Sequence, residues 1–173
     1  GDVVIISGPI GDHGIAILSS REGLEFSTQI QSDSAALHGL VKEMVHAVPE
    51  IHCLRDPTRG GLATTLNEIA RQSSVGMQIK EADIVVHAEV RGACELLGLD
   101  PLYIANEGKL ICICPAAFAD KLLTVMQAHP LARNAAQIGE VVTDERQLVV
   151  MQTKFGGQRV VDWLAGEQLP RIC

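Results

Sequence analysis

The 173-residue sequence predicts one α+β domain, a mixed β-sheet with helices packed against it. Three observations carry that prediction. Short apolar runs of strand character alternate with longer runs of helical spacing, and Gly, Pro, Ser or Asp punctuate the joins. Hydrophobic residues make up 47% of the chain, and this length can bury a core of its own. Aromatics are only 3%, so the core falls to Val, Ile, Leu and Ala. The domain is expected over 1–164, with a flexible tail over 165–173.

The elements follow in order. "DVVIIS" (2–7) reads as a short strand leading into the glycine-bearing "GPIGDHG". "SDSAALHGLVKEMVHAV" (32–48) reads as a helix, with capping residues in front, apolar positions at Leu37, Leu40, Val41, Met44 and Val45, and Pro49 as the stop. "IHCLRD" reads as a strand, after which Thr58 or Asp56 is placed to cap a helix through "RGGLATTLNEIARQS". "GMQIK" is a strand, "AEVRGACELLGL" a helix, "KLICICP" a buried strand, and "AAFADKLLTVMQAH" a helix halted by Pro130. "AAQIGEVV" is a strand, "VVTDERQLVVM" a hairpin, and "FGG" a further turn. After Trp163 the apolar pattern stops.

Charge narrows the functional classes. A net charge of −7 and scarce aromatics argue against nucleic acid, which needs concentrated positive charge and stacking rings. No apolar run approaches the roughly 20 residues that span a bilayer. No signal peptide is visible, so the cytoplasm is the default location. The chain opens on Gly1 and enters a strand at once, so it is expected to be part of a longer protein. The five cysteines include no C-x-x-C pair. Cys112 and Cys114 lie two apart, on one face of a strand, and read as buried small hydrophobes; no metal site is assigned.

Three polar stretches interrupt the apolar pattern. "SGPIGDHG" (7–14) offers Gly11 for close backbone approach, with Asp12 and His13 as a carboxylate and an imidazole; a plain turn into a helix is the alternative. "RDPTRGGLATTLNEIA" (55–70) puts Gly60 and Gly61 where a helix begins. Its unpaired N–H groups and dipole favour an anion, with Arg55 and Arg59 to grip phosphate; close packing with both Arg solvated is the alternative. "YIANEGKL" (103–110) sets Asn106 and Glu107 between apolar runs. A part-buried Glu there suits proton transfer near neutrality, against an exposed Glu on a bulge. The chain then ends on Cys173, a thiol on nine residues (165–173) that extend to about 30 Å.

Together "GPIGDHG", "DPTRGGLA", "ANEGKL" and terminal "PRIC" resemble, in this order, the C-terminal half of the HypE family, the carbamoyl dehydratases of nickel–iron hydrogenase maturation. The glycine motifs are shared more loosely across the aminoimidazole-ribonucleotide-synthetase-like superfamily of ATP-using enzymes. The terminal Pro-Arg-Ile-Cys is the specific part. The resemblance implies that Cys173 accepts a carbamoyl group from HypF. ATP, with Mg2+, then drives dehydration to a thiocyanate, and the cyano group passes to iron on the HypC–HypD complex.

It also implies Glu107 as the base, with His13 second or orienting. Gly11, Asp12, Arg59, Gly60, Gly61 and Asn106 become the nucleotide-site residues, and a homodimer is the full-length form. The alternatives are another superfamily member, of selenophosphate or purine-synthesis type, and a non-catalytic thiol carrier. The family's N-terminal half, which supplies much of the ATP site, has no counterpart in this sequence.

Overall fold

The computed structural model describes residues 1–22 and 30–163. Seven strands, β1 (Asp2–Ile6), β2 (Cys53–Arg55), β3 (Gly76–Lys80), β4 (Ile111–Pro115), β5 (Ala136–Val142), β6 (Val149–Gln152) and β7 (Gln158–Val160), form one sheet. Its order is β2-β4-β1-β5-β3-β6-β7. All pairs are antiparallel except β3 with β6. The helices are α1 (Asp12–Glu22), α2 (His38–Ala47), α3 (Gly61–Ser73), α4 (Ala88–Leu97) and α5 (Ala119–Ala128). The α+β class expected from the sequence is the class observed.

The interior strand β1 shows why the sheet is covered on two sides. Successive strand residues point to opposite faces. Val4 and Ile6 of β1 therefore join Leu62, Leu66, Ile69 and Ala70 of α3. Val3 and Ile5 join Leu40 and Met44 of α2 and Leu122 and Met126 of α5. Burying each such side chain contributes about 1.5–3 kcal/mol relative to leaving it in water. A third cluster, Ile15 of α1 with Val90, Ala93 and Cys94 of α4 and Ile104, fixes α1 against α4 beside the sheet.

Two expectations are corrected. The stretch "VVTDERQLVVM" is not a hairpin, because β3 lies between β5 and β6 and pairs with both. The connecting loop crosses the start of β3 at Gly76. A Cβ there would meet Asp144 at 2.6 Å and the Leu148 carbonyl at 3.2 Å, so only glycine lets the loop pass. The Met77 N–H donates to the Leu148 carbonyl at 2.9 Å. Strand alternation was legible in this stretch; the long-range insertion of β3 was not. The turn at "FGG" does join β6 to β7.

The second correction concerns 32–48, where α2 begins only at His38 and no side chain caps it. Ser32 and Asp33 have other partners, described below. Cys112 and Cys114 are fully buried and unbridged, as expected. Burial pushes both thiols up, with the neighbouring sulfur adding to the shift at Cys112 and Asp2 adding to it at Cys114. The expected boundary at 164 and the tail over 165–173 lie outside the described residues.

Candidate functional site

Asn106 is the residue on which the three polar stretches converge. It has no solvent exposure. Its Oδ1 accepts the Gly11 N–H at 2.8 Å, across 95 residues of sequence. Its Nδ2 donates to the Pro57 carbonyl and to the Ile104 carbonyl, each at 3.0 Å. Its backbone N–H also reaches the Pro57 carbonyl, at 3.2 Å. One amide thus ties "GPIGDHG", "DPTRGG" and "YIANEG" together, satisfying backbone groups that would otherwise be buried unpaired.

Further contacts hold the same junction. The Leu110 N–H donates to the Ser7 hydroxyl and the Ser7 N–H to the Leu110 carbonyl, both at 3.0 Å. The Gly14 N–H donates to the Ala105 carbonyl at 3.1 Å. Gly14 and Gly61 leave no room for a side chain. A Cβ on Gly14 would meet Ile104 at 2.5 Å, and one on Gly61 would meet the Leu102 carbonyl at 2.5 Å. Gly14 makes room for the Ile104 side chain, and Gly61 is where backbone meets backbone, the second reading the sequence allowed for the Gly60–Gly61 pair.

Gly60 and Gly61 both adopt left-handed backbone, with φ of 70° and 61°. Gly60 is the N-cap of α3 and no side chain caps the helix, so Thr58 and Asp56 do not serve as expected. The turn itself positions the helix end, because only glycine takes successive positive φ values without strain. The first-turn N–H groups of a helix lack intrahelical partners; here the Gly61 N–H donates to the Thr58 carbonyl at 3.0 Å, which leaves those of Leu62 and Ala63. Beside them the buried Thr64 Oγ1 has no hydrogen-bond partner among the described residues. That orphan hydroxyl and the uncapped N-terminus fit a phosphate oxygen. Arg59 is exposed just before the turn. The Arg55 guanidinium donates to Glu68 of α3 at 2.6 Å.

Glu107 is part-buried, and its N–H donates to Asp33 Oδ1 at 3.0 Å. The other Asp33 oxygen accepts Lys109 Nζ at 2.9 Å. His13 Nδ1 lies 2.8 Å from the Ser32 hydroxyl. Both candidate proton-transfer residues are therefore gripped by neighbours within one short stretch. Asp12 is buried and sits 2.9 Å from His87 Nδ1 at the N-cap of α4. Among the described residues no three His, Cys, Asp or Glu converge as a metal would require.

The structure brings Gly11, Asp12, His13, Asn106 and Glu107 together, with Gly60 and Gly61 attached through Pro57 and Ile104. Cys173 lies outside the described residues. Four residues escaped the sequence reading: Ser32, Asp33, Thr64 and His87. The sequence marked none of them: "SDS" ahead of an apolar run reads as a helix start, and Thr64 and His87 sit in stretches with no unusual pattern.

The path of the last described residues also bears on the site. Asn67 of α3 donates to the Val161 carbonyl at 2.8 Å, and Tyr103 donates to the Asp162 carbonyl at 2.9 Å. The Arg71 guanidinium lies 5.3 Å from the centre of the Trp163 ring. Residues 161–163 are thus moored along the helix whose N-terminus borders Asn106. No helix among the described residues is long and apolar enough to cross a membrane.

Residues 1–152 match the family described as AIR synthase related protein, C-terminal domain. The whole chain is 67% identical to the carbamoyl dehydratase HypE of Azotobacter vinelandii, covering 51% of that protein. Among solved structures it resembles hydrogenase maturation protein HypE in complex with ATP, with a TM-score of 0.94 and 51% identity over the whole chain and 53% of that protein. It also resembles HypE in a HypE–HypF complex, with a TM-score of 0.90 and 45% identity over 94% of the chain and 53% of that protein. The chain spans about half the length of the curated relatives it matches.

Proposed function

From a chain that belongs to the AIR synthase related protein, C-terminal domain family, we propose a role in nickel–iron hydrogenase maturation: ATP-dependent dehydration of a carbamoyl group on Cys173 to a thiocyanate. The observation that carries this reading is the convergence of three motifs on Asn106, beside the uncapped start of α3. Likeness to HypE at 67% identity supports the chemistry. An ATP complex of a similar HypE supports the nucleotide, and a HypE–HypF complex supports HypF as carbamoyl donor. HypC–HypD as cyanide acceptor, a homodimer in the full-length form and a cytoplasmic location complete the reading.

The chemistry sets what each residue does. An amide oxygen leaves poorly, and phosphorylation converts it into phosphate, a good leaving group. The Gly60–Gly61 turn, the Leu62 and Ala63 N–H groups of α3 and the Thr64 hydroxyl would meet phosphate oxygens, with Arg59 adding charge. Mg2+, when bound with the nucleotide, would neutralise phosphate charge. Closing the carbon–nitrogen triple bond then requires loss of the amide N–H proton. Glu107 takes it, with His13 as the orienting or alternative group.

The tail supplies the reach. Arg71, stacked near Trp163, is ten residues along α3 from Gly61, about 15 Å at 1.5 Å per residue. Residues 165–173 extend to about 30 Å, so the terminal thiol can visit this site and others.

Where a labelled carbamoyl group lands tests the proposal. In the full-length protein incubated with HypF, carbamoyl phosphate and ATP, label is expected on the wild type and absent from Cys173→Ser. Label retained by Cys173→Ser would place the acceptor elsewhere. An unlabelled wild type would favour a purine- or selenium-type relative.

A further inference from the structure

The stretch Ser32–Asp33–Ser34 touches both candidate proton-transfer residues, although its sequence reads as nothing more than a helix cap. Asp33 is 4% exposed and Lys109 9% exposed at their side chains. One Asp33 oxygen accepts the Glu107 N–H at 3.0 Å and the other accepts Lys109 Nζ at 2.9 Å. The Asp33 carbonyl lies where a Cβ on Gly108 would be, so the two backbones are in contact there. Ser32 Oγ lies 2.8 Å from His13 Nδ1 and accepts the Ser34 N–H at 3.1 Å.

A carboxylate kept this dry is costly unless both oxygens are engaged. Here each oxygen holds a different point on the 106–109 segment. Lys109 neutralises the charge, and the second bond reaches the backbone of Glu107 itself. That bond fixes where the Glu107 side chain starts, and a misplacement of about 1 Å in a reacting group can cost 10²-fold in rate.

We propose that Asp33 is a positioning residue: its carboxylate clamps the Glu107 backbone against Lys109 and so aims the Glu107 carboxylate at the amide proton. This rests on the reading of Glu107 as the base. Ser32 does the same for His13 from the adjacent position.

Removing Asp33 alone would strand a buried ammonium, which is destabilising in its own right. The test therefore uses two double variants of the full-length protein, D33N/K109M and D33A/K109M. Both lack the buried charges, and only the first retains an oxygen for the Glu107 N–H. Cys173 is carbamoylated in advance, ATP is added, and cyano formation is followed through one turnover below both melting temperatures.

D33N/K109M is expected to react about 10–100-fold faster than D33A/K109M. Half-saturating ATP should be alike in the two, and the Glu107 amide should exchange with deuterium faster in D33A/K109M. Equal rates in the two variants would overturn the proposal. Glu107→Gln run alongside separates the failures. If it is slow while the double variants match, only the clamp is wrong; if it keeps the wild-type rate, the base assignment and the clamp fall together.

Discussion

Replacing Asn106 with leucine is expected to destabilise the domain and to stop cyano formation. The two side chains have similar volumes, so the loss comes from hydrogen bonding and not from a cavity. The Gly11 N–H loses its acceptor and the Ile104 carbonyl loses the donor from Nδ2, while the Asn106 backbone still reaches Pro57. A buried polar group left unpaired costs about 1–3 kcal/mol. The stability of Asn106→Leu should therefore fall by about 2–5 kcal/mol, read from the urea midpoint at unchanged slope. In a variant still folded, carbamoylated Cys173 should persist after ATP is added, because Gly11 is no longer held in a fixed position relative to Glu107. A midpoint equal to wild type would show that Asn106 does not bind the three stretches together.

Glu107→Gln is expected to act on chemistry alone. The substitution keeps size and hydrogen-bonding capacity but removes the proton acceptor. Its backbone bond to Asp33 does not involve the side chain, so the clamp survives. General-base catalysis contributes about 10²–10⁴-fold, and cyano formation should slow by that factor. Transfer from HypF to Cys173 should be unchanged, since that step comes before proton removal. An accumulating carbamoyl adduct is the signature. An unchanged rate of dehydration would remove Glu107 from the role and bring His13 forward.

The sequence made local features legible and left long-range ones hidden, for physical reasons. β1, β4 and α3 could be read because side-chain periodicity is a local property, and Val3–Ile6 and Leu62–Ala70 announce their faces directly. The placement of β3 between β5 and β6 could not, because strand pairing across some 60 residues leaves no local trace. Gly76 marks the crossing, yet a glycine at the start of a strand has several ordinary uses.

The site divides along the same line. Asp12, Asn106 and Glu107 stood out as polar residues in apolar surroundings and Gly11 as a point of close backbone approach, and the fold brings them together. Asp33 did not, because a Ser-Asp-Ser stretch ahead of an apolar run is what a helix start also looks like. Its partner Lys109 carries no sequence mark of being buried. Thr64 reads as an ordinary helical residue, because sequence does not show that its buried hydroxyl has no hydrogen-bond partner among the described residues. The pairing of Arg55 was equally hidden, because the sequence does not reveal that Glu68, thirteen residues on, faces back across the turn.

The mass of the C-terminal peptide, followed in time in the full-length protein with HypF, carbamoyl phosphate and ATP, probes the central claim most directly. Cys173 is expected to gain a carbamoyl group first and, only once ATP is present, to lose the elements of water and become a thiocyanate. A carbamoyl adduct that never changes with ATP would contradict the claim and leave the chain a thiol carrier.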